Sequence, residues 1–292
     1  MKTIPVTHSS SPLIVLLPLC LMRSALFAAG RVPAIQHHRR QVPIAPYRGA
    51  SLRQSGPALG QHHALAWQAV LHWAKDAGIE EDSPFAVAAD DLLRVLGGQG
   101  GDSAQRRRMV RWLADLAATR IEYKTDTHVF DGPLLGQAIT DARTGRPLLR
   151  LPAGWKDLTR IEILRNNLGR KRGLGSHALA LWLHDYIATH QRPPPECVDT
   201  LRQWSGSGQD LAHFRHELRK ALRRLTGGPS TPTPDALVLG WQIDRRDRLH
   251  IDKTLTDVYV PKGRSSRAGA VVQSRQEAEV QRARMQRANV AL

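Results

Sequence analysis

The stretch DLAHFRHELRKALRRLTGG, residues 210–228, decides how this chain is read. Wound at about 3.6 residues per turn, it brings Leu211, Phe214, Leu218, Leu222 and Leu225 onto one stripe. The opposite face collects His213, His216, Arg219, Lys220 and Arg223, flanked by Arg215 and Arg224, and Glu217 is the only acid in the body of the helix. Asp210 stands where an N-cap is needed, and Gly227-Gly228 where the helix must stop. An apolar stripe anchoring the helix, with cations on its outer face, is what entry into a DNA major groove requires. A basic helix standing alone is more often a solvated face, so its neighbours decide.

Upstream, GSHALALWLHDYIATH (175–190) reads as a strong amphipathic helix, ended by Pro193-Pro194-Pro195. A short helix around Val198 to Trp204 and the turn GSGQ (206–209) follow. Downstream, LVLGWQIDRRDRLHID (237–252) reads as two strands joined by a charged turn, Asp244 to Arg248. A hairpin carrying Arg245, Arg246 and Arg248 beside the helix is a wing placed to touch phosphates. The order helix, turn, helix, hairpin is that of a winged helix.

The same order occurs earlier. ALAWQAVLHWAKDA (64–77) has helical spacing, with Leu65, Ala69, Leu71 and Trp73 mainly inward. A short strand Phe85-Ala86-Val87 leads to a helix from Ala89 to Leu96, stopped by Gly97-Gly98. Asp102 or Ser103 then caps a helix reaching about Ala118, whose inward stripe is Met109, Val110, Leu113, Leu116 and Ala117. Arg107, Arg108 and Arg111 lie away from that stripe; they suit backbone phosphate, or ordinary surface charge with Arg111 pairing to Asp115. RIEYKT (120–125) and THVFDGPLLGQAI (127–139) are strand-like and supply the hairpin, with a turn at Arg143-Thr144-Gly145. Residues 31–63 read as loop with a short strand. The fold class expected is mainly α with small β-hairpins, an α+β chain of two tandem winged helices. The divisions are an apolar lead-in over 1–21, a first winged helix over 22–152, a second over 153–261, and a basic tail with little apolar content over 262–292.

Composition agrees with a polyanion partner. Lys and Arg number 42 against 26 Asp and Glu, a formal charge of +16 on 292 residues, and the pI is near 10.9. Two cysteines, Cys20 and Cys197, form neither a disulfide framework nor a zinc cluster and suit a reducing cytoplasm. No metal or other cofactor is expected. PLIVLLPLCLMRSALFAAG (12–30) has the look of a secretory signal, with Lys2 before it and Ala28-Ala29-Gly30 at its end. Pro18 and Arg23 interrupt it as a membrane span. An enzyme reading exists in the H-x-x-R pair His216/Arg219 with Tyr259, as a tyrosine recombinase would use. An upstream arginine box is missing, however, and Tyr259 sits in a strand-like TDVYVP. Gly97 to Gly101 lacks the Lys-Ser/Thr of a phosphate loop.

The order of motifs resembles the TrfA-type plasmid replication initiators. The pieces that carry the resemblance are MRSALF (22–27), YRGASLRQ (47–54), LAWQAVLHWA (65–74), FAVAADDLLRVLG (85–97), RRMVRWLADLAATRIEY (107–123), ALALWLHDYIATHQRPPP (178–195) and ECVDTLRQWSG (196–206). The resemblance implies a non-enzymatic initiator that binds directly repeated sites (iterons) in double-stranded origin DNA and helps open adjacent AT-rich DNA. It implies recruitment of host DnaA and the DnaB helicase, and a monomer–dimer equilibrium with the dimer contact in the first winged helix. It also makes MRSALF the opening helix of that domain, with Leu26 and Phe27 inward, so that cleavage at residue 29 or 30 would delete it. The expected location is cytoplasmic, on plasmid or nucleoid, with no membrane partner. The runner-up is a winged-helix regulator that represses transcription with the same surfaces.

Overall fold

The computed structural model describes residues 13–30, 39–44, 51–97, 102–124, 129–140, 146–154, 163–227 and 236–254. The turn at 143–145, Tyr259 and the tail from 262 lie outside the described residues. Within them the chain opens with β1 (Ile14–Pro18), α1 (Leu19–Met22), β2 (Phe27–Ala28), β3 (Arg39–Ile44), β4 (Ser51–Gly56) and β5 (Leu59–Gly60). The first repeat then runs α2 (Gln61–Asp76), β6 (Phe85–Ala86), α3 (Ala89–Val95), α4 (Ser103–Ala117), β7 (Arg120–Lys124), β8 (Val129–Pro133), β9 (Gln137–Thr140) and β10 (Pro147–Arg150). After β11 (Ile163–Asn167) and α5 (Leu168–Arg172) come α6 (Ala178–Ala188), β12 (Glu196–Cys197), α7 (Val198–Trp204), α8 (Leu211–Leu225), β13 (Val238–Ile243) and β14 (Arg248–Lys253).

The two repeats share one topology. In the first, the strand between the first two helices pairs with the last strand, giving the order β6-β10-β9; in the second the order is β12-β14-β13. Both are antiparallel throughout. Three helices and a three-stranded sheet closed this way are compatible with a winged helix. Asp102 and Asp210 cap α4 and α8 as the sequence suggests, accepting from the Gln105 and His213 amides at 2.7 and 2.8 Å.

Three expectations need correction. RIEYKT and THVFDGP do not build the wing of the first repeat: β7 and β8 join β3 and β4 in a separate four-stranded antiparallel sheet, order β3-β4-β7-β8, and the hairpin is β9–β10. Residues 39–60 therefore hold three strands rather than a loop with one short strand. MRSALF is not a helix either. Helix α1 ends at Met22, residues 23–26 turn, and Phe27 enters a two-residue parallel pairing with β5. The turn is held because the Arg23 guanidinium donates to the Thr189 hydroxyl, 2.8 Å away, at the end of α6. Leu26 and Phe27 do face inward.

The apolar run 13–22 joins the two repeats. β1 pairs antiparallel with β11 over five residues, Ile14 opposite Asn167 to Pro18 opposite Ile163. Val15, Leu17, Leu19, Leu21 and Met22 are all buried in the common core, each contributing about 1.5–3 kcal/mol of burial. Trp182 of α6 donates its indole N–H to the Ser24 carbonyl at 3.1 Å. Arg172 of α5 reaches the other way, giving its guanidinium to the Val95 and Arg94 carbonyls at the end of α3, at 2.8 and 3.1 Å. Helix α2 is enclosed on nearly all sides, with Trp67 and Gln68 fully buried and Leu65, expected inward, only half-buried. Among the described residues no helix is long and apolar enough to cross a membrane.

The start of α2 has a titratable cap. The Gly60 amide donates to His63 Nδ1 at 3.0 Å, which makes Nδ1 an acceptor and leaves Nε2–H to donate to Asp115, 3.1 Å away. Burial lowers the His63 pKa from its ordinary 6.5, and Asp115 only partly offsets this. Asp115 is thereby engaged with α2 rather than with Arg111. Because the unfolded chain binds this proton more readily, stability is present above the unfolded value and falls as pH drops below about 6.5. Urea midpoints should decrease from about pH 7 to about pH 5, and the decrease should be smaller in a His63→Gln variant.

Candidate nucleic-acid interface

Helix α8 is built as its sequence demands. Phe214, Leu218, Ala221, Leu222 and Leu225 are buried against α6, α7 and β13, and Leu211 is half-buried at the start. His213, His216, Arg219, Lys220, Arg223 and Arg224 are exposed. Lys220 bonds Glu217 at 2.9 Å within the helix, and Glu217 stands 3.8 Å from His177, the N-cap of α6. Lys220 is the first cause of the lowered Glu217 pKa. Among the described residues Arg219 and Arg223 have no side-chain partner, so their cations are available to a ligand.

The β13–β14 hairpin, expected as a wing, lies directly beside this helix. Its tip is the turn Asp244-Arg245-Arg246-Asp247 between β13 and β14, and Arg245, Arg246 and Arg248 are exposed. Asp247 has a left-handed φ of 57°, a conformation that Asp tolerates better than most side chains. The Asp244 carboxylate accepts from the Arg246 and Arg248 amides at 2.8 and 2.9 Å, and from His250 at 2.9 Å. The His250 contact and these amides hold the Asp244 carboxyl below its ordinary pKa.

Arg215, grouped with the DNA-facing residues by sequence, is placed differently from the others. Its guanidinium forms a two-pronged pair with Asp247, at 2.9 and 2.8 Å, and so points at the wing rather than outward. Sequence reasoning missed Asp244, Asp247 and His250 because acids in a basic turn carry no periodic signal. The single available hint was that two acids bracket the arginines of DRRD.

The second candidate set sits on α4. Met109, Leu113 and Leu116 are buried, with Val110 and Ala117 half-buried. Arg107, Arg108 and Arg111 are exposed, and none has a side-chain partner among the described residues. Arg106 is instead held by Asp90 of α3 at 2.7 Å. The set thus lies on the third helix of the first repeat, as the α8 set does on the second. His216 and Arg219 are both exposed on α8, while Tyr259, their partner in a recombinase reading, lies outside the described residues. Among the described residues no group of three or more His, Cys, Asp or Glu is gathered as a metal site needs.

No protein-family model matches the chain, and no curated protein matches it in sequence. Solved structures do match. Domains 2 and 3 of the Vibrio protein RctB superpose with a TM-score of 0.56 at 13% identity, over 82% of this chain and 99% of that one. The chain therefore has a mixed α+β fold shared with those two domains.

Proposed function

We propose that the chain is a non-enzymatic replication initiator built on two tandem winged helices, roughly 22–152 and 153–261, that binds repeated origin sequences in double-stranded DNA. The observation that carries this reading is the exposed cationic face of α8, with Arg219 and Arg223 unpaired among the described residues, standing beside an arginine-tipped hairpin. It occurs in a fold shared with two domains of RctB, the initiator of Vibrio chromosome II. In this reading α8 enters the major groove, with His213, His216 and Arg219 toward base edges and Lys220 and Arg223 toward phosphate. Arg245, Arg246 and Arg248 contact backbone from the wing, and Arg107, Arg108 and Arg111 give the first repeat its own backbone contact. Origin opening, recruitment of DnaA and DnaB, dimerisation through the first repeat and a cytoplasmic location follow from the resemblance to TrfA-type initiators.

The test is a transformation assay. A plasmid carrying a conditional origin, this gene and its native neighbouring repeats should replicate under conditions that silence the conditional origin. Binding to the repeats without replication would instead establish the regulator reading. Absence of both would remove the initiator proposal.

A further inference from the structure

We propose that Arg215 and Asp247 are positioning residues that lock the wing to α8, so that Arg245 and Arg246 meet phosphates in fixed register with the helix. This rests on the DNA-binding reading above and goes beyond it, because it takes one arginine out of the contact set and gives an acid a role in binding DNA. Four bonds converge on the wing turn. The Asp247 carboxylate takes both Arg215 nitrogens, its carbonyl accepts from the Val198 amide at 2.9 Å, and its own amide donates to the Asp244 carbonyl at 3.1 Å. The turn is thus tied to the start of α7 and to the side of α8 at once. Asp244 closes the inner side of the turn by accepting the Arg246 and Arg248 amides. Every acid of the turn is consumed internally, while Arg245 and Arg246 have no side-chain partner among the described residues. A planar two-pronged guanidinium–carboxylate pair fixes direction as well as distance.

The sign of the effect separates this role from simple charge. Neutralising an acid near DNA ordinarily strengthens binding, since it removes repulsion and here would also release Arg215 toward the phosphates. If Asp247 positions the wing, its neutralisation must weaken binding. The variant Asp247→Asn keeps size and tolerance of the left-handed backbone, and Arg215→Lys keeps the charge but loses the fork. Both are to be measured in the full chain on a duplex selected from a random-sequence pool by the parent protein, with circular dichroism and melting as the fold control.

Parent binding should fall steeply with salt. In Asp247→Asn the slope of log K against log salt should become shallower by about 2, the loss of two phosphate contacts. Arg215→Lys should shift it in the same direction by less. Arg245→Ala/Arg246→Ala should remove about 2 from the parent slope but almost nothing from the Asp247→Asn slope. Tighter binding with a steeper slope in Asp247→Asn, or an equal effect of the arginine pair in both backgrounds, overturns the positioning role. A parent that binds duplex without salt dependence overturns the DNA-binding reading itself, and with it this inference.

Discussion

Replacing Lys171 by Met, or Asp185 by Asn, should each destabilise the folded chain by about 3–5 kcal/mol, a fall in melting temperature on the order of 10 °C. Lys171, 2% exposed, is buried between the repeats, and its ammonium stands 2.7 Å from the Asp185 carboxylate. Gln68 of α2 donates to Asp185 at 2.9 Å and accepts from Lys171 at 3.0 Å, and Asn166 of β11 donates to Asp185 at 2.8 Å. Four elements, α2, β11, α5 and α6, thus meet in one polar knot inside an apolar core. Burial alone would raise the Asp185 pKa, but Lys171 and His184 hold the carboxyl well below the usual range, so it stays ionised. Removing either charge leaves the other without its counter-charge in a site that water does not reach, which is the costly case for a buried pair. Replacing both, as Lys171→Met/Asp185→Asn, should cost clearly less than the sum of the single losses. Asn166 already donates to the Gln68 amide oxygen at 3.4 Å, so each keeps a polar partner when the pair is gone. Urea unfolding of the four proteins measures this directly. Equal, additive losses would show that the pair does not act as a unit.

The knot also explains what the sequence left hidden. LGRKR (168–172) reads as one more basic patch in a basic protein, yet Lys171 is internal and Arg172 closes the end of α3. Charge count cannot distinguish an outward cation from a buried one, because the partner, Asp185, lies in another helix. The four-stranded sheet was hidden for a related reason. β4 presents Leu52 and Gln54 inward, and Gln54 is only 1% exposed, so the alternation of apolar and polar residues that marks a half-buried strand is broken. The stretch 12–30 has the look of a leader because strand β1 is uniformly apolar, and a short apolar run has no period to read.

What was legible is equally specific. The helices α7 and α8 and the hairpin β13–β14 fall where their stripes and turn residues put them, and Asp102 and Asp210 cap as expected; α6 lies where expected but is buried on every side from Leu179 to Ala188 instead of along one face. Strong amphipathic periodicity, as on α8, survives any tertiary context. Pairing between distant segments, such as β1 with β11, depends on partners that local pattern does not name.

The outer face of α8 gives the second large effect. Arg219→Ala/Lys220→Ala/Arg223→Ala should abolish specific duplex binding, a loss of more than about a hundredfold if each cation contributes about 1–3 kcal/mol. The salt slope should fall by about 2, for the two phosphate contacts of Lys220 and Arg223. All three side chains are exposed, and Lys220 gives up only a surface bond to Glu217, so folding stability should change by less than about 1 kcal/mol. Loss of net charge is the competing explanation, since the triple variant lowers +16 to +13. A matched variant tests it: Arg53→Ala/Lys75→Ala/Lys124→Ala removes the same charge from exposed positions on β4, α2 and β7. Long-range attraction depends on total charge and is screened beyond roughly 10 Å at ordinary salt, whereas contacts in a groove depend on place. The matched variant should therefore keep most of the specific affinity and slow association at low salt only modestly. If both variants lose binding alike, α8 is not the reading element and the interaction is a property of the whole basic surface.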